Sequence, residues 1–164
     1  MANKALLVGV NRYKLSRADL QGCLNDVTNV RDVLLKYFGF TVKQIRVLAD
    51  GRATKKAILH RLDWLVKDAK SGDRLLFHFS GHGSQIRDRD GDELKDGLDE
   101  IICPHDMDWD GIDTHLSTDR LFKIKEILGY GWIRQHFFHC YFFSVGPIFY
   151  SFCPYVVHYI DGSF

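Results

Sequence analysis

Three short apolar runs, at residues 5–10, 42–48 and 74–79, alternate with two stretches in which apolar residues recur every three or four positions. In the first stretch Leu24, Val27, Val30, Leu34 and Phe38 form one helical stripe, with Asp26 near its start and Gly39 stopping it. In the second, Ile58, Leu62, Leu65, Val66 and Ala69 do the same, opened by Thr54 as an N-cap. The runs are short and read as strands, the second of them, marked by Val42, Ile45, Val47 and Leu48, followed by a turn at Asp50-Gly51. Strands joined by helices of this length lie mainly parallel, with right-handed crossovers and a helix layer on each face of the sheet. In such α/β folds function gathers at the carboxyl ends of the strands.

The third run, 74–79, is followed at once by Ser80-Gly81-His82-Gly83-Ser84-Gln85. Glycines on both sides of a histidine let the backbone turn sharply and leave the imidazole at the sheet end, where a general base is useful. His82 is therefore the catalytic candidate, although the spacing alone equally describes a glycine turn with an incidental histidine. No Gly-Lys-Ser/Thr follows, so the loop is not a phosphate cradle. His78 alternates with Phe77 and Phe79 and reads as a packed strand residue rather than a ligand.

The chain has 164 residues, room for one domain. Its formal net charge of +1 gives no global field for nucleic acid or an anionic membrane, so neither is an expected partner. Cys23, Cys103, Cys140 and Cys153 show no CxxC spacing, and no secretory leader pattern opens the chain, so a cytoplasmic location is expected. Residues 88–113 hold 11 of the 21 acidic residues, opposed only by Arg89 and Lys95. Asp88-x-Asp90-x-Asp92 opens like an EF-hand, but Glu93 occupies the sixth place, where the sharp turn needs Gly. Residues 130–164 hold 13 of the 22 aromatics and two formal charges, Arg134 and Asp161. The uncharged stretch 137–160 is long enough to cross a bilayer by count, yet Pro147, Pro154 and Gly146 interrupt it, and a membrane span is not expected.

The segment Phe77-His-Phe-Ser-Gly-His-Gly-Ser-Gln85 resembles the catalytic-histidine segment of metacaspases, the caspase-like cysteine peptidases. Lys4-Ala-Leu-Leu-Val-Gly-Val-Asn11, Leu20-Gln-Gly-Cys-Leu-Asn-Asp26, Asp90-Gly-Asp-Glu and Asp96-Gly-Leu-Asp-Glu-Ile-Ile-Cys-Pro-His-Asp106 agree in order and spacing, so the likeness covers residues 4 to about 122. It implies a three-layer caspase-like α/β fold with a mainly parallel central sheet, over a peptidase domain at 1–128, with an atypical aromatic tail at 129–164 that leaves the fold C-terminally incomplete and one sheet edge uncovered. It further implies a Cys/His dyad, in which His82 takes the thiol proton and the thiolate attacks a peptide carbonyl. Asp26 and Ser80 match family positions that line a pocket for Arg or Lys at P1; by itself Asp26 equally reads as a first-turn helix acid. Cys23 resembles a non-nucleophilic cysteine of some members, and otherwise reads as a small buried hydrophobe. Ca²⁺ activates many members, and Asp99 and Asp119 match its ligand positions, although Thr118-Asp119-Arg120 replaces a longer Asp run. The alternative for this acidic stretch is a solvated loop.

The family's nucleophile motif, Asp-x-Cys-His-x-Gly, does not occur in this sequence. Counting forward from Asp119 reaches Cys140, where Phe138 stands in place of the pocket aspartate and Tyr141 in place of the histidine. Cys140 is thus a candidate by position only. Two expectations stay open: a caspase-like cysteine endopeptidase acting on peptides, or a non-catalytic caspase-like chain that acts, if at all, by binding.

Overall fold

The computed structural model describes residues 2–70, 72–87, 98–109, 116–117 and 158–160, and side chains over 2–70, 72–84 and 101–109. The first strand, β1 (Asn3–Gly9), lies at the centre of a four-stranded sheet between β2 (Ile45–Ala49) and β3 (Arg74–Ser80), and pairs with both in parallel. Two helices, α1 (Cys23–Tyr37) and α2 (Lys55–Val66), make the crossovers. Alternation along β1 separates the layers. Leu6 and Val8 pack with Ile58, Leu62 and Leu65 of α2, whereas Ala5 and Leu7 pack with Val27 and Leu34 of α1. The expected three-layer α/β architecture is therefore present, with one helix on each face of a parallel core.

Local chemistry sets the element ends. Asn11, two residues past β1, accepts the Cys23 backbone N–H on its side-chain oxygen at 2.9 Å and so seats the start of α1 from a distance. The Thr54 hydroxyl accepts the Ala57 N–H at 3.2 Å, and Asp106 Oδ1 accepts the Lys55 N–H at 2.8 Å, so two side chains cap α2. Lys4 Nζ reaches from β1 to the other end of that helix and donates to the Trp64 and Lys67 carbonyls. Ala69, counted in the helical stripe, lies beyond the last turn of α2. Val42, expected at the start of a strand, lies in a short 3-10 turn at Val42–Gln44. Thr41 and Gln44 form a reciprocal capping box there, which holds the chain helical before β2 begins at Ile45.

Beyond β3 the chain enters a second, antiparallel sheet not anticipated from the sequence, built from β4 (Gly83–Arg87), β5 (Leu98–Ile102) and β6 (Leu116–Ser117). The apparent glycine loop is thus only Gly81 and His82, and Gly83 already pairs with Ile102. Ile101, Ile102 and Cys103 return to the α2-side core. The outer edge of β3, expected to be uncovered, pairs antiparallel over Leu75–Phe77 with β7 (His158–Ile160). No described helix is long and apolar enough to cross a membrane, and the stretch 137–157 lies outside the described residues.

Candidate active site at the carboxyl end of the sheet

β1 and β3 end side by side at Gly9 and Ser80, and the candidate residues collect there. Leu76, His78 and Ser80 share the α1 face of β3, where the Ser80 hydroxyl donates to Asp26 Oδ2 at 2.8 Å. Asp26 stands in the first turn of α1, and Ser80 is fully buried. The bond joins two residues separated by 54 positions in sequence. It depends on the close approach of α1 to β1 at Gly9. A Cβ there would lie 2.8 Å from Val27 Cγ2 and 3.0 Å from the Cys23 carbonyl oxygen.

His82 lies two residues past the end of β3. Its Nε2 lies 2.8 Å from the Ala18 carbonyl oxygen, which can only accept, so Nε2 carries the proton and Nδ1 is left as the basic nitrogen of the neutral ring. Burial lowers the imidazole pKa below 6.5, and the Ala18 hydrogen bond opposes that shift. A neutral imidazole at neutral pH is the form that can take a proton from a thiol.

The loop supplying Ala18 is itself braced. Asp50 Oδ1 accepts the Asn11 and Arg12 N–H groups at 2.8 and 2.9 Å, and Asp19 Oδ1 accepts the Tyr13 N–H at 2.9 Å. The Tyr13 amide first, and then Arg12, hold the Asp19 carboxyl below its usual pKa. His105 Nδ1 donates to the Arg12 carbonyl at 2.6 Å.

His78 is fully buried, and burial pushes its pKa down to about 4 against the opposing influence of the Asp26 carboxylate. It is a neutral packed residue, as its strand position suggested. The described cysteines are poor nucleophiles. Cys23 is 4% exposed, and the Cys103 thiol, fully buried next to the His82 carbonyl that its N–H meets at 2.9 Å, is pushed up to about 12. Cys140 and Asp119 lie outside the described residues, as does the side chain of Asp99, whose backbone sits in β5 opposite Ile86. Among the described residues no group of His, Cys, Asp or Glu could hold a metal ion.

The structure thus brings together His82, Ser80 and Asp26 and adds two partners that sequence reasoning missed. The Ala18 carbonyl has no side-chain signature. Tyr13, whose hydroxyl accepts the His82 N–H at 2.7 Å, sits 69 positions away in sequence.

Comparison with known proteins agrees with this geometry. Residues 3–140 match the family described as metacaspase, peptidase C14 domain. The chain is 42% identical over 128 residues to Metacaspase-1B of Neurospora crassa, covering 74% of this chain and 29% of that protein. It is 43% identical over 127 residues to Metacaspase-1 of Sclerotinia sclerotiorum and to Metacaspase-1 of Ajellomyces capsulatus, covering 74% of this chain and 28% and 34% of theirs. It therefore spans about a third or less of the length of these relatives. Among solved structures, protein GSU0716 from Geobacter sulfurreducens shares the fold with a TM-score of 0.59 at 24% identity, over 78% of this chain and 46% of that one. With a histidine and a Ser–Asp pair at the carboxyl end of a parallel sheet and a match over most of its length, the chain belongs to the metacaspase peptidase C14 family.

Proposed function

We propose that this chain carries the histidine and the substrate-pocket half of a caspase-like cysteine endopeptidase that takes Arg or Lys at P1. The observation that carries this reading is the Ser80–Asp26 hydrogen bond at 2.8 Å beside His82. The bond fixes a carboxylate at the strand ends, where a guanidinium or ammonium group can pair with it. In the reaction, His82 Nδ1 removes the proton of a cysteine thiol, and the thiolate attacks the peptide carbonyl. The leaving amine takes that proton from the imidazolium, and water then releases the acyl group from sulfur.

Cys140 is the positional candidate for the thiol, and the family match extends as far as that residue. Its surroundings argue for weak turnover, because Phe138 and Tyr141 replace the aspartate and histidine expected beside a nucleophile. The expected result with an Arg- or Lys-terminated peptide reporter is little or no hydrolysis, with or without millimolar Ca²⁺ as activator. Robust turnover that vanishes in Cys140→Ala would instead make Cys140 the catalyst and show that the flanking motif is dispensable.

The missing motif favours a second reading for the chain as it stands, that of a binding rather than cleaving member. Pocket binding tests the recognition half without chemistry. A peptide aldehyde with P1 Arg should bind about tenfold more tightly than its P1 norleucine or P1 Asp counterpart. That factor is the low end of the roughly 1.5–3 kcal/mol of a charge-assisted pair, since Phe138 supplies no second carboxylate. Asp26→Asn should erase the difference in calorimetry. Equal binding of all three ligands to the unsubstituted chain would reduce Asp26 to a helix-start acid.

A further inference from the structure

The His82 ring is one corner of a closed aromatic triangle. The Tyr13 ring lies 5.0 Å from the imidazole at an interplanar angle of 49°, and the Trp109 ring lies 5.5 Å from it, edge-on at 88°. Tyr13 and Trp109 meet each other at 5.9 Å and 66°. Three separate segments contribute these rings, the loops after β1 and after β5 and the turn after β3.

Each contact is tight. Tyr13 is 5% exposed, and its hydroxyl lies over the Gly81–His82 peptide so closely that a Cβ on Gly81 would come within 2.8 Å of it. The same oxygen accepts the His82 backbone N–H at 2.7 Å. Trp109 is partly buried against the α2-side core, and its buried indole N–H has no acceptor among the described residues. The side chain is therefore held there by ring packing.

We infer that Tyr13 and Trp109 are positioning residues for His82, which lock its ring on the Ala18 carbonyl with Nδ1 as the basic nitrogen and keep water from its faces. The inference rests on reading His82 as the base of the site. One hydrogen bond to a backbone carbonyl biases a tautomer or rotamer equilibrium only about fivefold, too little to hold an imidazole in one state. Two aromatic contacts and an anchored backbone amide supply the rest. The groups packed on the ring are the Tyr13 phenol, the Trp109 indole and the Ala18 carbonyl, and on the Tyr13 loop Arg12 and Asp19 pair with each other at 2.8 Å, while Lys14, Arg17 and Asp108 flank these groups in sequence. Burial, to which the two aromatics contribute, is the larger influence on how the ring titrates, and the Ala18 hydrogen bond opposes it.

The test uses the full chain labelled with ¹⁵N-histidine, with the His82 signals assigned by their loss in His82→Gln. In the unsubstituted chain a single tautomer, protonated on Nε2, is expected. Tyr13→Phe, which keeps the ring and removes only the hydroxyl, should make the His82 amide exchange about tenfold faster and populate both tautomers. Trp109→Leu should move the His82 titration midpoint up toward the ordinary histidine value, and Trp109→Phe should restore it. Unchanged exchange and tautomer in Tyr13→Phe, or an unmoved midpoint in Trp109→Leu, would overturn the corresponding assignment. So would an unfolded Trp109→Leu, which would make Trp109 a core residue. The readout is the imidazole itself, so a chain that cleaves nothing leaves this inference standing, and its failure leaves the peptidase reading untouched.

Discussion

Lowering the pH from 7 to 4 should cost the folded chain about 3 kcal/mol through His78 alone. Burial holds this imidazole at a pKa of about 4 in the folded state, against 6.5 when exposed. As pH falls below 6.5 the unfolded chain takes up a proton that the folded chain refuses, so the contribution is intact above 6.5, shrinks through the window and is gone below about 4. His82, also lowered by burial, adds in the same direction. Asp19 and Asp73, lowered from 3.8, stabilise the fold above that value and lose their contribution only as pH falls through it, largely outside this window. Urea midpoints at pH 7, 5.5 and 4.5 measure the slope. His78→Leu should flatten it whatever its effect on stability at pH 7, and parallel slopes for the two proteins would refute the assignment.

Gly9→Ala should destabilise the chain by about 1–3 kcal/mol and weaken the pocket with it. The added methyl would meet a stiff β-branched side chain, Val27, at 2.8 Å and the backbone oxygen of Cys23 at 3.0 Å, so neither obstacle can simply swing away. Relief requires the first turn of α1 to move off β1, and that turn carries Asp26 away from Ser80. Urea denaturation and P1-Arg binding should therefore fall together. A double-mutant cycle with Val27→Ala should show a coupling of about 1 kcal/mol, with the double variant losing less than the sum of the single losses. Strict additivity, or lost stability with undiminished P1-Arg preference, would separate the glycine from the pocket.

What the sequence could convey depended on the range of the interaction concerned. The stripes Val27–Val30–Leu34 and Ile58–Leu62–Leu65 are properties of neighbours three and four apart, and they gave both helices and the faces they bury. The Thr41–Gln44 capping box is equally local, but Val42 and the β-branched residues around it mask it as a strand. The β4–β5 hairpin escaped notice because ten residues, five of them acidic, separate its arms and the glycines beside His82 suggested a loop. In the site, His82 was legible from its flanking glycines at a strand end, Asp26 and Ser80 were identified through resemblance, and the 54-residue pairing of those two is visible only in three dimensions. The Ala18 carbonyl and the Tyr13 and Trp109 rings act through backbone and packing, which leave no pattern in a one-dimensional string.

The central place of β1 also shapes how the chain is made. Ala5 pairs with Ile45, and Asn3 with Arg74, so this strand is synthesised well before either neighbour and waits about 40 residues for one and 70 for the other. At roughly 5–20 residues per second a nascent chain spends ~4–14 s between the two ends of that pairing. Through that interval Leu6, Leu7 and Val8, all fully buried in the finished sheet, have no strand to lie between. Long-range parallel pairing is slow to form for the same entropic reason. The vulnerable moment for this fold is therefore on the ribosome, and a holdase that binds short apolar segments should raise the yield of the folded chain more than one that acts after release.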